Sequence, residues 1–377
     1  MMKKHSLLAY LVIFISASSF AQQSIDLDRD EVLSQIELAN KYFMEKWPDV
    51  GKTIVTNMER PSHIWTRAVY YEGLMALHEI YPKQDYYNYA LDWAEFHDWG
   101  FRSKNITRNA DDYCAAQTYI DLYQLEPKPE KLKNTRAAMQ KFLHTPQNGD
   151  WDWIDAIQMG MPVFAKLGVL ENDERYFEKM HKMYMYSRDI EGENGLFNPE
   201  DGLWWRDADF DPPYTEPNGE DSYWSRGNGW VIVALAKVLD IIPEDAQHRD
   251  QYIEDLQVMA EALAKVQRED GFWNVSLHDE DHYGGKELSG TASFVYGMTY
   301  GVNNGLLDEE KYTPIIEKAW NAMIDDALHE NGFLGYVQST GKEPKDGQPL
   351  SYDKVPDFED YGLGLFLLAG TEIYKME

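Results

Sequence analysis

Apolar residues recur at i, i+3, i+4 and i+7 along most of the chain, the spacing that gathers them on one side of an α-helix. The pattern predicts twelve helices, at 31–46, 66–81, 85–99, 111–125, 129–143, 155–168, 173–188, 227–240, 249–268, 290–305, 310–327 and 358–375. Alternating apolar and polar runs of strand length are missing, so the chain reads as all-α.

The helices are of two kinds. GNGWVIVALAKVL and GTASFVYGMTYGV are apolar almost all round, as a helix buried on every side must be. EKYTPIIEKAWNAMIDDAL and DQYIEDLQVMAEALAKVQ carry one apolar stripe and one charged face. Buried and amphipathic helices alternate. The segments Glu193-Asn-Gly-Leu-Phe, Glu269-Asp-Gly-Phe-Trp and Glu330-Asn-Gly-Phe-Leu each follow an amphipathic helix, a local repeat that points to repeated helical pairs. Six inner and six outer helices paired in this way predict an (α/α)6 barrel, or six-hairpin toroid, as a single domain over residues 22–377. An open solenoid is the competing architecture, but its strict period and polar capping repeats are missing.

Long connections at 188–226, 268–290 and 331–358 are rich in Gly, Pro, Asp, Trp and Tyr, and loops of that length in a compact domain usually serve function. Each leads from an outer helix into an inner one, so all three should gather at one mouth of the ring.

The first residues have a basic start at Lys3 and Lys4, an apolar stretch from Leu7 to Ile15 and small residues up to Ala21. This is the pattern of a signal peptide over residues 1–21, implying export, to the periplasm rather than the medium. No later stretch reaches the roughly 20 apolar residues that a membrane span needs. A net charge of −30 speaks against nucleic acid and anionic membranes as partners and suits saline surroundings. The single cysteine, Cys114, excludes an intramolecular disulfide and reads as a packed small residue. His63, His97, His278 and His282 are scattered without metal-ligand spacing, so neither a metal nor another cofactor is expected.

Candidate chemistry lies at the starts of inner helices: Asn109-Ala-Asp-Asp-Tyr113, Trp151-Asp-Trp-Ile-Asp155, Tyr223-Trp-Ser-Arg-Gly-Asn-Gly-Trp230 and Glu287-Leu-Ser-Gly-Thr-Ala292. Asp111, Asp152 and Ser289 could simply cap helices. A carboxyl walled by indoles has its charged form disfavoured and can serve as a general acid, which makes Asp152 and Asp155, beside Trp151 and Trp153, candidates for either a cap or an acid. Arg226 sits between small residues in SRGNGW, where its guanidinium can clamp a carboxylate. Trp224, Ser289 and Thr291 join the candidate sugar contacts because their segments open inner helices.

The segments WDWIDAIQMGMPVFAKLG, SRGNGWVIVAL and ELSGTASFVYGMTYGVNNGLL resemble motifs of glycoside hydrolase family 105, the unsaturated glycuronyl hydrolases that include unsaturated rhamnogalacturonyl hydrolases. The resemblance runs over most of residues 30–375 and independently implies an (α/α)6 barrel. It implies that Asp155 is the catalytic acid and base and that the Asp111-Asp112 pair supplies a second essential carboxylate, with Asp112 ranked ahead. It also implies that Arg226 and Trp230 line the sugar site and that Tyr71 and Glu72, in WTRAVYYEGL, make further contacts.

The implied substrate is an oligosaccharide left by a polysaccharide lyase, whose terminal uronate carries a C4=C5 enol ether. Two polymers could supply it: ulvan, with unsaturated glucuronate on rhamnose, towards which an exported acidic chain leans, or pectic rhamnogalacturonan. An ordinary glycosidase acting on saturated glycans and a non-catalytic sugar-binding toroid are the alternatives.

Overall fold

In a computed structural model, residues 27–55, 59–103, 107–353 and 360–376 are described; the expected signal peptide lies outside them. The helices are α1 (Arg29–Lys46), α2 (Trp65–Ile80), α3 (Gln84–Phe96), α4 (Ala110–Tyr113), α5 (Ala116–Leu125), α6 (Pro129–Leu143) and α7 (Asp155–Glu171). They continue with α8 (Glu174–Asp189), α9 (Ser225–Ile241), α10 (Arg249–Lys265), α11 (Glu280–Tyr283), α12 (Leu288–Asn303), α13 (Glu309–Asp326) and α14 (Asp360–Tyr374). Two antiparallel hairpins of two-residue strands, β1 (Ile54–Val55) with β2 (Glu59–Arg60) and β3 (Phe197–Asn198) with β4 (Leu203–Trp204), were not expected from the sequence.

Helices α2, α5, α7, α9, α12 and α14 form the inner ring. Each packs on the next, and α14 returns to α2, so the ring closes as a six-hairpin toroid. Residues 225–236 of α9 and 288–301 of α12 are buried without interruption, as their all-round apolarity requires. Outer helices bury one stripe each; on α13 it is Tyr312, Ile316, Ala319, Trp320, Ala322 and Met323. No described helix is long and apolar enough to cross a membrane.

Closure depends on the first and last inner helices meeting without side chains between them. A Cβ at Gly73 would lie 2.4 Å from the Gly364 carbonyl oxygen, and one at Gly364 would lie 2.3 Å from that of Val69. A fully buried ion pair, Arg67 Nε to Asp360 Oδ2 at 2.7 Å, ties the same two helices. Guanidinium and carboxylate both forgo water here, so this pair fixes register more than it adds net stability.

The expected helix boundaries hold within about three residues. Two departures stand out. The helix predicted at 111–125 breaks at Cys114-Ala115 into α4 and α5, within an apolar run that carries no breaker. Helix α3 stops at Phe96 because Asp98 and Trp99 turn to φ 50° and 54°.

Candidate active site

The stretch before α7 sets the site. Trp151 is wedged behind the helix, its indole donating to Tyr113 Oη at 2.8 Å and lying where a Cβ at Gly160 would collide, at 2.8 Å. Trp153 then forms an isolated antiparallel bridge with Asp207, and the Ile154 amide donates to the Arg206 carbonyl at 2.9 Å. These backbone bonds bring the loop between α8 and α9 alongside the first turn of α7, and so bring Arg206 to Asp155.

Asp155 is the first residue of α7 and only 8% exposed. Its Oδ2 accepts from Arg206 Nη2 at 3.4 Å, a long contact, while Oδ1 is buried with no hydrogen-bond partner. Arg206 Nη1 pairs with Asp207, and Arg206 Nε is buried and unpartnered. Burial pushes the Asp155 carboxyl above its ordinary range; nearby Arg206 and Arg226 oppose this and Asp207 adds to it.

Asp111, in the first turn of α4, shares a recess of about 290 Å³ with Asp155, Arg206 and Arg60. Asn109 caps α4 by accepting from the Asp111 amide at 2.9 Å, which fixes the rotation of this short helix. Desolvation, followed by the charge of Asp155, pushes Asp111 up to about 6. The aromatic walls are Trp65 and Trp153, and the rim is Thr340-Gly341. The recess therefore offers two carboxyls that resist ionising together, two guanidinium groups and two indoles.

Several sequence expectations need correction. Asp112 turns away from the recess: it accepts from Thr107 Oγ1 at 2.8 Å and pairs with Arg102 at 2.6 Å, so Asp111 and not Asp112 shares the recess with Asp155. Arg226 is 1% exposed and donates to the carbonyls of Gln338 and Ser339, both at 2.9 Å, under the rings of Trp224 and Tyr361. It anchors the loop that carries Thr340 and contributes charge near Asp155, but it does not line the recess. Trp230 supports from behind, edge-on to Trp65 at 5.9 Å. Trp224 donates to Gln338 Oε1 at 2.8 Å from a fully buried position, and Trp151 is likewise internal.

Ser289 donates to Glu287 Oε1 at 2.6 Å, while Thr291 Oγ1 accepts from the Trp273 amide at 3.2 Å; both are buried joints around the start of α12. Tyr71 is stacked on Trp93 at 4.0 Å between the inner and outer rings. Glu72 faces the other end of the toroid. There it lines a separate cavity of about 310 Å³, paired with Lys237 and accepting from Gln158 at 2.7 Å. That cavity is slightly larger than the recess, but its lysines Lys166, Lys237 and Lys375 are each committed to an acid of the same cavity.

Arg206, Arg60 and Trp65 were missed. A signal existed for Arg206, which is the sole basic residue between Arg188 and Arg226 in a loop crowded with acids.

A sequence model of Glycosyl Hydrolase Family 88 matches residues 35–377. The chain belongs to this family. A relative from Formosa agariphila, named an unsaturated 3S-rhamnoglycuronyl hydrolase, is 33% identical to this family 88 hydrolase over 333 residues, covering 83% of this chain and 85% of the relative. A solved structure named a polysaccharide lyase is 34% identical with a TM-score of 0.84, covering 92% of this chain and 97% of that one. Another, described as a possible member of family 105 from Salmonella enterica subsp. enterica serovar Paratyphi A, superposes with a TM-score of 0.73 at 21% identity, covering 97% and 99%. The last shows the shared toroid alone. The family 88 chain is a glycoside hydrolase, related to enzymes of unsaturated glycuronyl oligosaccharides.

Proposed function

We propose that this family 88 hydrolase releases a terminal 4,5-unsaturated glucuronate from rhamnose-containing oligosaccharides by hydrating the C4=C5 bond. The observation that carries the reading is the recess in which Asp155 and Asp111, both with raised pKa, face two guanidinium groups and two indoles.

Protonated Asp155 gives its hydrogen to C4; the π pair becomes the C4–H bond, and the positive charge rests on C5 and the ring oxygen. Water attacks C5 and loses a proton to the Asp155 carboxylate, which restores the acid. The resulting hemiketal opens by breaking C5–O5, giving a ketone at C5 and a hemiacetal at C1. Collapse of that hemiacetal expels the neighbouring sugar as an alcohol and leaves an aldehyde. Asp111 keeps the pair from ionising fully, because two close carboxylates repel, so the recess retains a proton at a pH where isolated carboxyls have lost theirs.

The Formosa agariphila relative's name supports an unsaturated 3S-rhamnoglycuronyl substrate, and the acidic chain and its exported start favour ulvan over rhamnogalacturonan as the source. The same reading takes residues 22–377 as one catalytic domain in the periplasm, working after a polysaccharide lyase.

Following ultraviolet absorbance of the conjugated double bond tests the proposal. Absorbance should fall with lyase-digested ulvan and fall less with digested rhamnogalacturonan. The lyase name attached to one similar structure raises a second reading with the opposite sign, since a lyase creates the chromophore and absorbance would rise on intact polymer. No change on either digest, with cleavage of a saturated glycan, would move the enzyme to ordinary glycosidases.

A further inference from the structure

Arg206 is held in an unfinished arrangement. Its guanidinium lies between two carboxylates, tightly on Asp207 and loosely on Asp155 at 3.4 Å, and its buried Nε has no partner. The backbone beneath it is fixed, since the Arg206 carbonyl takes the Ile154 amide and its neighbour Asp207 bridges Trp153. The side chain can therefore exchange partners without moving the loop. Arg226, the residue expected to receive an anion, has already given two donors to carbonyls.

We propose that Arg206 is the receptor for the substrate's carboxylate, and that it lets go of Asp155 as it takes that carboxylate. The inference rests on the unsaturated uronate reading above. It resolves a conflict within that mechanism: a general acid must be protonated, yet a guanidinium at Asp155 favours its ionised form. Substrate removes the conflict in two ways, by occupying the guanidinium and by placing a further negative charge beside Asp155. The other groups acting on Asp155 are Arg226, Asp207 and Asp111, and Arg206 also acts on Asp152. Of these groups only Arg206 combines contact with Asp155 and a free donor. The acid is thus loaded when a uronate is present, and a neutral sugar in the recess would leave Asp155 charged and idle.

The test compares an unsaturated uronyl disaccharide with its C6-reduced counterpart, in which the carboxylate has become a primary alcohol. Wild type, Arg206→Gln and Arg206→Lys are assayed across pH. The uronate-to-alcohol ratio of kcat/KM should be roughly 10- to 100-fold larger for the wild type than for Arg206→Gln, the size of one or two charge-assisted hydrogen bonds. Arg206→Lys should give a ratio between the two. Intrinsic reactivity of the two alkenes cancels because the same pair is given to every enzyme.

In the wild type, the basic limb of kcat should lie at higher pH than that of kcat/KM, since the first reports bound and the second free enzyme. Arg206→Gln should raise the kcat/KM limb and narrow the gap, leaving only the part due to the substrate's own charge. An undiminished carboxylate preference in Arg206→Gln, or a gap of unchanged width, would overturn the inference. Should Arg206→Gln fail to fold, Arg206→Lys decides in its place: a carboxylate preference as large as that of the wild type refutes the proposal, and a reduced one supports it. Failure of the wild type to consume any unsaturated uronate would refute the underlying reading instead.

Discussion

Replacing Asp111 by Asn should disable the protein at every pH while making it more stable on the alkaline side alone. Asp111 moves from 3.8 to about 6 in the folded chain. Folded protein thus holds this proton more tightly than unfolded protein does. The stability this provides is complete below about pH 4 and is lost as pH rises through about 6. A displacement of about 2.2 in pKa, at 1.36 kcal/mol for each, sets the penalty of the ionised carboxyl at about 3 kcal/mol above pH 7. Asn keeps the shape and the Asn109 cap, which uses the backbone amide, and cannot ionise. Calorimetric Tm values should therefore nearly coincide for wild type and Asp111→Asn at pH 4. At pH 8 the variant should melt on the order of 3–6 °C higher, a chain of this length moving little more than a degree or two per kcal/mol. Activity should fall at both pH values. An equal Tm difference at pH 4 and 8, or a variant less stable at pH 8, would refute the claim that Asp111 is strained by burial and by Asp155.

Asp155→Asn should lower kcat by about 10²- to 10⁴-fold, the usual contribution of a positioned acid and base, while retaining equilibrium binding of the oligosaccharide measured by calorimetry. Arg226→Ala removes two buried donors from the Gln338 and Ser339 carbonyls; it should cost about 2–4 kcal/mol in urea unfolding and raise KM through the displaced Thr340 rim. Trp151→Phe loses the indole bond to Tyr113 and should cost about 1–3 kcal/mol with kcat within twofold, whereas a sugar-contacting Trp151 would show chiefly in KM. Arg67→Ala leaves Asp360 buried without its guanidinium; about 3–5 kcal/mol should be lost, with the activity of the remaining folded fraction unchanged at saturating substrate.

Fold was legible because a toroid of helices repeats one physical instruction. An inner helix has to be apolar all round and an outer one striped, and no long-range information is needed to see either in GNGWVIVALAKVL or EKYTPIIEKAWNAMIDDAL. The break between α4 and α5 was not legible, since Cys114 and Ala115 suit a helix and keep right-handed helical angles, and only a tighter turn, with the Gln117 amide donating to the Cys114 carbonyl at 3.1 Å, interrupts it. Asp155 and Asp152 could both be read as candidates because they precede or open a buried helix next to indoles, and the family resemblance alone chose Asp155. Choosing between Asp111 and Asp112 could not be settled that way: neighbours on a helix point about 100° apart, and the rotation of the four-residue α4 comes from the Asn109 cap and from Thr107 and Arg102 claiming Asp112. Arg226 was assigned to a ligand because a guanidinium among glycines suits a carboxylate and a backbone carbonyl equally well. The carbonyls that claim it lie 112 and 113 residues further along the chain.

A net charge of −30 does not by itself keep an anion out of the recess. Surface carboxylates repel a uronate only within a screening length of about 8–10 Å in ordinary salt, and saline surroundings shorten that further. Inside the recess, screening is weak and the nearest charges decide. Arg60 and Arg206 both bring guanidinium groups whose Nε atoms are buried without a partner, on walls built from β2 and from the loop before α9. An unpaired buried donor is costly in the empty protein, and an anion that satisfies it recovers that cost on binding. Attraction at this site therefore does not depend on net charge. Raising ionic strength should weaken repulsion by the surface more than attraction in the recess, so kcat/KM for the anionic substrate should rise between low and moderate salt. A monotonic fall over that range would mean that the two arginines act as exposed charges, and that the uronate is held at the surface rather than beside Asp155.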